Sequence, residues 1–549
     1  MRSSGRHRSA GLAVGCLALV LLVFAAAAGS AAAARVLRVG TFDGMHGNYS
    51  TIQSAVKAVH PGDYILIGPG DYKTTGTEVP KGALGDDRAG AAVLITKANL
   101  HVIGMSRSGV VVDGTRPGTP RCSPSTSAQF FGKKDKAGKP SGANGIIVYK
   151  ATGVTVENLT ACNFLGGDQG GGNAIWFEGG GSSGKQTAMS FTGSWLTSTS
   201  TYFVNETTQA SGYGIYSSNT KGGPGLFAHD YASNQNDSGF YVGACPDCGV
   251  TLDDDQAEFN VLGYSGTNSG GHVLVENSQF DNNQDGFDTN SQNNDDAPSP
   301  QNGTCPGPSP ASYLKRLPAG IQQTHSCWVF FNNYVHDNNN PNVPSEGAAS
   351  YGPVGTGMSL SGARNDIVAG NRFVNNGAWG ILLVPYPDTE TPPPVAIPCR
   401  GGTPNASVLG ITIRCYFDDY GNEIADNVFT HNGYFANPSN GDIGEVSDEN
   451  TPGNCFHGNT DTLGSLTTDP ASLQTTSGVC GKAGAGDPVT SPLAAQAICD
   501  TQLFGPCPSA PGMVYPRVTK VKMQPVPKLP GLPNPCAGVP ANPWCKAKR

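Results

Sequence analysis

Charged side chains are scarce in this chain, at 14% of residues, and basic ones are the scarcer: 34 Lys and Arg stand against 42 Asp and Glu. That balance argues against a basic nucleic-acid face, so no nucleic acid is expected as a partner. Disorder usually goes with high charge and no periodicity, and this chain has little charge and a clear period. Long apolar runs are absent except near the start. There Arg2, Arg6 and Arg8 precede an apolar run over residues 11–28, cut by Gly15, with small residues following at Ala32 and Ala34. This is the charged, apolar and small-residue order of a secretory signal. Residues 1–34 therefore read as a signal peptide, and the rest as a secreted protein without membrane insertion, expected to act as a monomer. Loss of the three Arg moves the formal charge from −8 to −11.

Cys16 leaves with the signal, so 14 of the 15 Cys remain. An even number in a secreted chain reads as disulfides, whose connectivity the sequence leaves open. Cys245 and Cys248 form a CxxC with no second one nearby, which favours a structural disulfide over a zinc or redox site. Helical periodicity is nearly absent as well. Its one instance follows a short strand at 36–39, where Ser50 or Thr51 caps a helix whose Ile52, Ala55, Val56 and Val59 share a face. The string PGDYILIGPGDY, a strand between turns, comes next. No convincing helix is found downstream. An amphipathic helix in this position is what a solenoid needs to cover its open end.

From Ala92 onward the chain reads as strands and turns. A polar residue is followed two positions later by a small or apolar one and five positions later by Asn, Gln or Thr. The nine copies are Asn158/Thr160/Asn163, Ser194/Leu196/Thr199, Asp230/Ala232/Gln235, Asp255/Ala257/Asn260, Ser278/Phe280/Asn283, Asn333/Val335/Asn338, Asn371/Phe373/Asn376, Asn427/Phe429/Asn432 and Asn454/Phe456/Asn459. Their last positions are 36, 36, 25, 23, 55, 38, 56 and 27 residues apart. A floor near 23 with excursions above it implies one coil per repeat, with insertions looping out at a fixed corner. No single coil can bury its apolar side, so coils must stack into parallel sheets about 4.8 Å apart. At the corners Asn tolerates a left-handed backbone, and its amide can bond the Asn above and below. The fold class expected is all-β: a right-handed parallel β-helix over 91–487, a cap and first strands over 35–90, and a Pro- and Cys-rich tail over 488–549.

The densest acidic stretch lies within one coil: Asp285, Asp288, Asp295 and Asp296 fall in twelve residues. Carboxylates this close must bind a cation, sit in water or shift their pKa. Overlaying the strands that follow the triplets puts Tyr241, Ser265, Asp288 and Leu382 in one column pointing away from the core, which receives Phe240, Tyr264, Phe287 and Ile381. Insertions at 291–325 and 388–420 follow the strands holding Asp288 and Leu383 and are expected to rise as walls beside that sheet. Asp253, Asp254 and Asp255 form a second acidic cluster, which a solvated turn explains as well as a ligand site.

These repeats resemble the right-handed parallel β-helix proteins, and NNQDGFD, residues 282–288, resembles the calcium-site stretch of family 9 pectate lyases. The resemblance implies calcium held by Asp285 and Asp288; since two Asp alone would bind weakly, Asp295 or Asp296 is expected to complete the site from the loop. The acid expected before Asp285 is Gln284. GTGMSLSG, residues 355–362, is similar to the string that carries that family's proton-abstracting Lys, but the Lys position is Ser359. A neutral hydroxyl cannot take the proton unaided. Arg364, Arg372, Lys315 or Arg316 would have to supply the base.

The sequence therefore points to a secreted protein that acts on or binds polysaccharide, an acidic one by the resemblance. A calcium-dependent uronate lyase is one reading, with Asp285, Asp288, Ser359 and Arg364 as catalytic candidates. A non-catalytic adhesive β-helix is another. A glycoside hydrolase using a carboxylate pair, Asp285 with Asp288 or Asp295 with Asp296, is a third. The D-P-H string expected of an alginate-type epimerase is absent, and His336-Asp337 reads as a corner pair.

Overall fold

The computed structural model describes residues 33–73, 89–180, 187–202, 209–245, 247–292, 315–322, 327–343, 349, 352–388, 399, 402–408, 411–448, 452–484, 486–500, 523 and 525–546. The signal segment, Asp295 and Asp296 lie outside them. Each coil gives one strand to each of three parallel sheets, of 12, 11 and 11 strands. The first sheet runs from Val36–Val39 to Cys455–His457, the second from Gly70–Lys73 to Thr460–Asp461, and the third from Gly90–Ile95 to Thr468–Asp469. The helix is Ile52–Ala58, and the Thr51 hydroxyl caps it by accepting from the Ser54 amide. Ile52, Ala55 and Val56 face the interior, so the first coil's open end is closed.

The core is a set of side-chain columns running along the solenoid. In the first sheet Phe227, Leu252, Val275, Phe330, Val368 and Ile424 stand in register. In the second Ala257, Phe280, Val335, Phe373 and Phe429 do so. The third contributes Phe240, Tyr264, Phe287, Met358 and Ile381, as the overlay required. Tyr264 and Phe287 stack at 4.2 Å with nearly parallel rings. Burial on this scale, not helix or strand propensity, holds the coils together.

The corners divide a task that the sequence reading assigned to one residue. His229, Asp254, Asn277, Asn332 and Asp426 take the left-handed backbone, with φ between 53° and 58°. The residue after each points inward and bonds its counterpart on the next coil. One ladder of amides links Asn333 to Asn371 at 3.2 Å, Asn371 to Asn427 at 2.9 Å and Asn427 to Asn459 at 2.9 Å. A second links Asn260, Asn283, Asn338, Asn376 and Asn432 at 3.0–3.2 Å.

The six triplets from Asp230 to Asn432 are in true register, and the other three are not. Ala161 pairs with Ser198 and Ser198 with Ala232, so the first two triplets are displaced by one and two residues. Asn163 is itself left-handed, with φ of 55°, and bonds Thr201 instead of an Asn column. In the last coil Asn427 stacks on Asn459, while Asn454 belongs to a third corner, beneath Asn422. The cause is a repeated spacing: Asn422/Ile424/Asn427 and Asn427/Phe429/Asn432 fit the same template on successive strands.

Insertions leave at both ends of the third-sheet strands, not at one corner. Residues 339–355 lead into Thr356–Ser361, and the insertion after Trp379–Val384 folds its own antiparallel sheet from Tyr386–Asp388, Thr403–Val408 and Ile411–Phe417. Residues 293–314 of the other expected wall lie outside the described set. A helix that was not anticipated, Pro492–Asp500, lays Leu493, Ala494 and Ala497 over Trp379 and Leu382 on the outer side of the third sheet. The tail returns to the opposite end, where Leu532, Val539 and Trp544 cover Leu66, Ile103 and Met105. Disulfides join Cys122 to Cys162, Cys245 to Cys248, Cys399 to Cys415, Cys455 to Cys480 and Cys536 to Cys545, as suits an oxidising compartment. Among the described residues no helix is long and apolar enough to cross a membrane.

Candidate functional site

Asp285–Asn290 is the third-sheet strand of the sixth triplet-bearing coil's predecessor, and it carries two acids three residues apart. Strict alternation would send only one of them outward. Gly286 resolves this: a Cβ there would stand 2.5 Å from the Gly357 carbonyl oxygen and 2.7 Å from the Asn338 amide, so the backbone presses against the ladder where no side chain fits. Asp285 consequently leaves the core. Its register neighbour Leu262 packs in a separate outer cluster with Val343, and its neighbour beyond Thr356, Trp379, packs under the Pro492–Asp500 helix. Asp288 stands in the outward column Trp176, Tyr216, Tyr241, Ser265, Asp288, Ser359, Leu382.

The structure therefore brings Asp285, Asp288 and Ser359 together. The Ser359 hydroxyl lies 2.6 Å from Asp285 Oδ2 and 2.8 Å from Asp288 Oδ1. A hydroxyl has one proton to donate, so two such contacts require a proton on one carboxyl as well. Asp288 also accepts from the Asn290 amide at 2.7 Å and the Ser361 hydroxyl at 3.3 Å. Among the described residues Asp285 has, besides Ser359, a 3.3 Å contact from the Phe287 amide. Both are buried, Asp285 at 0% and Asp288 at 8% exposure, so Asp288 leaves the core without lying on an open face.

Burial pushes the Asp285 carboxyl well above the usual carboxylate range, and the charge of Asp288 adds to the rise. Burial raises Asp288 too, opposed by its donors Asn290, Ser359 and Ser361. Asp285 has the fewer donors and Asp288 the more, so of the two Asp288 is the better placed to carry the charge. Asp237, which the sequence reading missed, is pushed up to about 7, chiefly by burial and further by Asp288, against donors Tyr213 and Ser238. No periodic signal singled it out, because it sits in the turn before the Ser238–Gly243 strand.

The pair is flanked by chain on both sides. On one side Gln284 donates to the Gly352 carbonyl at 2.6 Å. On the other, Gln292 donates to the Tyr386 hydroxyl at 2.9 Å, tying it to the antiparallel sheet. The Pro492–Asp500 helix covers the column at Leu382.

The other candidates go elsewhere. Arg364 lies over the Tyr420 ring at 4.9 Å, Arg372 over Tyr334 at 4.8 Å, and Arg316 pairs with Glu276. Lys315 is exposed. Asp255 is a ladder member, Asp254 pairs with His229 at 2.6 Å, and Asp253 accepts from Asn277 at 2.7 Å, so that acidic cluster is architectural. Two groups have the spacing of metal ligands, Asp113 with Cys122 and Cys162, and Glu423 with His457 and Cys480, but their Cys are held in disulfides.

Stacked coils with an outward carboxyl pair define a right-handed parallel β-helix protein. No family model matches the chain, and no curated protein matches it. Among solved structures it is similar to the mannuronan C-5 epimerase AlgE6 A-module of Azotobacter vinelandii, at 14% identity over 76% of this chain and 92% of that one, with a TM-score of 0.37. It is similar also to pectate lyase Pel9A, at 15% identity over 61% and 76%, TM-score 0.31. The GH136 lacto-N-biosidase from Eubacterium ramulus matches at 10% identity over 72% and 64%, TM-score 0.36. At these identities the likeness concerns the fold alone.

Proposed function

We propose that the protein is a secreted β-helix enzyme that hydrolyses a polysaccharide, with Asp285 as general acid and Asp288 as its carboxylate partner. The observation that carries this reading is the Ser359 hydroxyl bridging the two carboxyls. A bridge of one oxygen puts the pair nearer the about 5–5.5 Å separation of retaining glycosidases than the about 6.5–9.5 Å of inverting ones. Their environments also push the two protonation states apart, which is how two like groups take the roles of acid and base. Ser359 is an anchor here. It donates to one carboxyl and accepts from the other, so it is not available as the base that β-elimination requires. An acidic polymer is the substrate class favoured, on the resemblance of residues 282–288 and 355–362 to the pectate lyase strings.

The test is a panel of acidic and neutral polysaccharides assayed for new reducing ends. Asp285→Asn and Asp288→Asn should each lower turnover by about 100-fold or more. Undiminished turnover in both would overturn the assignment.

Calcium at the same place is a second reading, with Asp285 and Asp288 as two of its ligands. The two carboxyls share the Ser359 hydroxyl, and calcium takes 6–8 oxygens, several from carboxylates. Calorimetry would show calcium heat that the double variant Asp285→Ala, Asp288→Ala loses; equal heat in both proteins would remove calcium from this site.

A further inference from the structure

We propose that the outward face of the second sheet carries a separate binding strip for an anionic sugar chain, centred on Arg372. In register Gln279 pairs with Tyr334 and Tyr334 with Arg372, while Asp281 pairs with His336. Tyr334 and His336 are two residues apart on one strand, so both point outward, and their rings stack at 4.0 Å. Arg372 lies over the other neighbour of that stack, 4.8 Å from the Tyr334 ring centre. It is exposed and, among the described residues, has no carboxylate partner. A guanidinium held against an aromatic ring keeps its N–H groups available for two parallel bonds to a carboxylate and loses little freedom in making them.

The neighbouring groups hold the Tyr334 ring in place. His336 stacks on it, oriented through Nδ1, 2.7 Å from Asp337 Oδ2, with its Nε2 buried. Asp281, beside His336 in register, points its oxygens at neutral amides: its Oδ1 accepts from Gln256 at 3.1 Å and Gln279 at 2.9 Å, and its Oδ2 from Asn282 at 2.7 Å. An exposed guanidinium held on an aromatic ring suits a sugar that offers a carboxylate, and a neutral sugar would leave Arg372 unused. The strip extends the polysaccharide reading but requires no turnover, and it lies on a different sheet from the Asp285–Asp288 pair.

The test uses the full chain carrying Asp285→Asn, so that bound polymer is not cleaved. Affinity electrophoresis in polygalacturonate, in alginate and in neutral dextran is compared for this parent and for added Arg372→Ala, Arg372→Lys and Tyr334→Ala, with melting temperatures as the check on folding. Arg372→Ala should weaken binding of an acidic polymer about 10-fold and leave dextran unaffected, with Arg372→Lys intermediate. Acidic-polymer binding equal to the parent in Arg372→Ala, or a parent that binds neither acidic polymer, overturns the strip. Failure of the hydrolysis reading is seen separately: wild-type protein that binds acidic polymer through Arg372 but releases no reducing ends keeps the strip and loses the assignment of Asp285 and Asp288.

Discussion

At the scale of single residues, three Asp occupy places where this fold uses Asn. Asp230 and Asp255 succeed one another in the first ladder, the Asp230 amide donating to Asp255 Oδ1 at 2.8 Å, and Asp366 holds the third corner above Asn422. Each has one oxygen without a partner. Burial raises all three acids, Asp230 to about 8. A raised folded-state pKa makes the folded form bind more protons than the unfolded one, so stability is fully present below the ordinary carboxylate range and is lost as pH rises toward about 8. Asp230→Asn and Asp255→Asn should therefore raise stability by about 1–3 kcal/mol at slightly alkaline pH and do little at pH 4. Melting curves at the two pH values check this; a variant less stable than wild type at alkaline pH would show that the acids are ionised in the fold. Ser359 gives a second expectation. Its hydroxyl joins Asp285 to Asp288, donating to one and accepting from the other, so Ser359→Ala should move the pH–rate profile. An unmoved profile would detach Ser359 from the reacting pair.

At the scale of elements, the amide ladders decide which coils are rigid. Asn338 bonds both Asn283 and Asn376 and lies wholly buried. Asn338→Ala leaves two buried partners unsatisfied and should cost about 1–3 kcal/mol, measured by denaturant unfolding; a loss below about 0.3 kcal/mol would mean the ladder adds nothing to stacking. The three-sheet coil was legible because Phe and Asn recur where both the core and the ladder demand them. Its register at the ends was not, since Asn-x-Ile-x-x-Asn at residues 422–427 and Asn-x-Phe-x-x-Asn at residues 427–432 satisfy one template on two different sheets. The site was legible in part for the same reason. Alternation placed Asp288 in its outward column, and Ser359 entered that column only through a motif position. Asp237 and the antiparallel sheet of the 386–417 insertion obey no coil period, and periodicity could not reveal them.

At the scale of the whole molecule, residues 525–546 of the tail pack across the first coils. Trp544 donates to the Met45 carbonyl at 3.1 Å and packs on Phe42 at 5.7 Å; Leu532 donates its amide to Asn158 at 2.8 Å, and buried Arg107 bonds the Pro530 carbonyl at 3.0 Å. Since coils of a solenoid contact only their neighbours, loss of this strap should loosen the first coils and spare the last. Trp544→Ala should cost about 3 kcal/mol locally and speed amide exchange in Tyr64–Ile67 and His101–Gly104; unchanged exchange there would show the strap to be passive.

The central claim, that the Asp285–Asp288 pair hydrolyses glycosidic bonds, is tested most directly by the chemistry of the product. Wild-type protein is incubated with the acidic polysaccharide it binds, in water enriched in heavy oxygen, and the oligosaccharides are weighed by mass spectrometry. Hydrolysis predicts saturated products carrying one heavy oxygen at each new reducing end, and none of them from Asp285→Asn. Unsaturated, ultraviolet-absorbing products without the label, formed with or without Asp285, would contradict it.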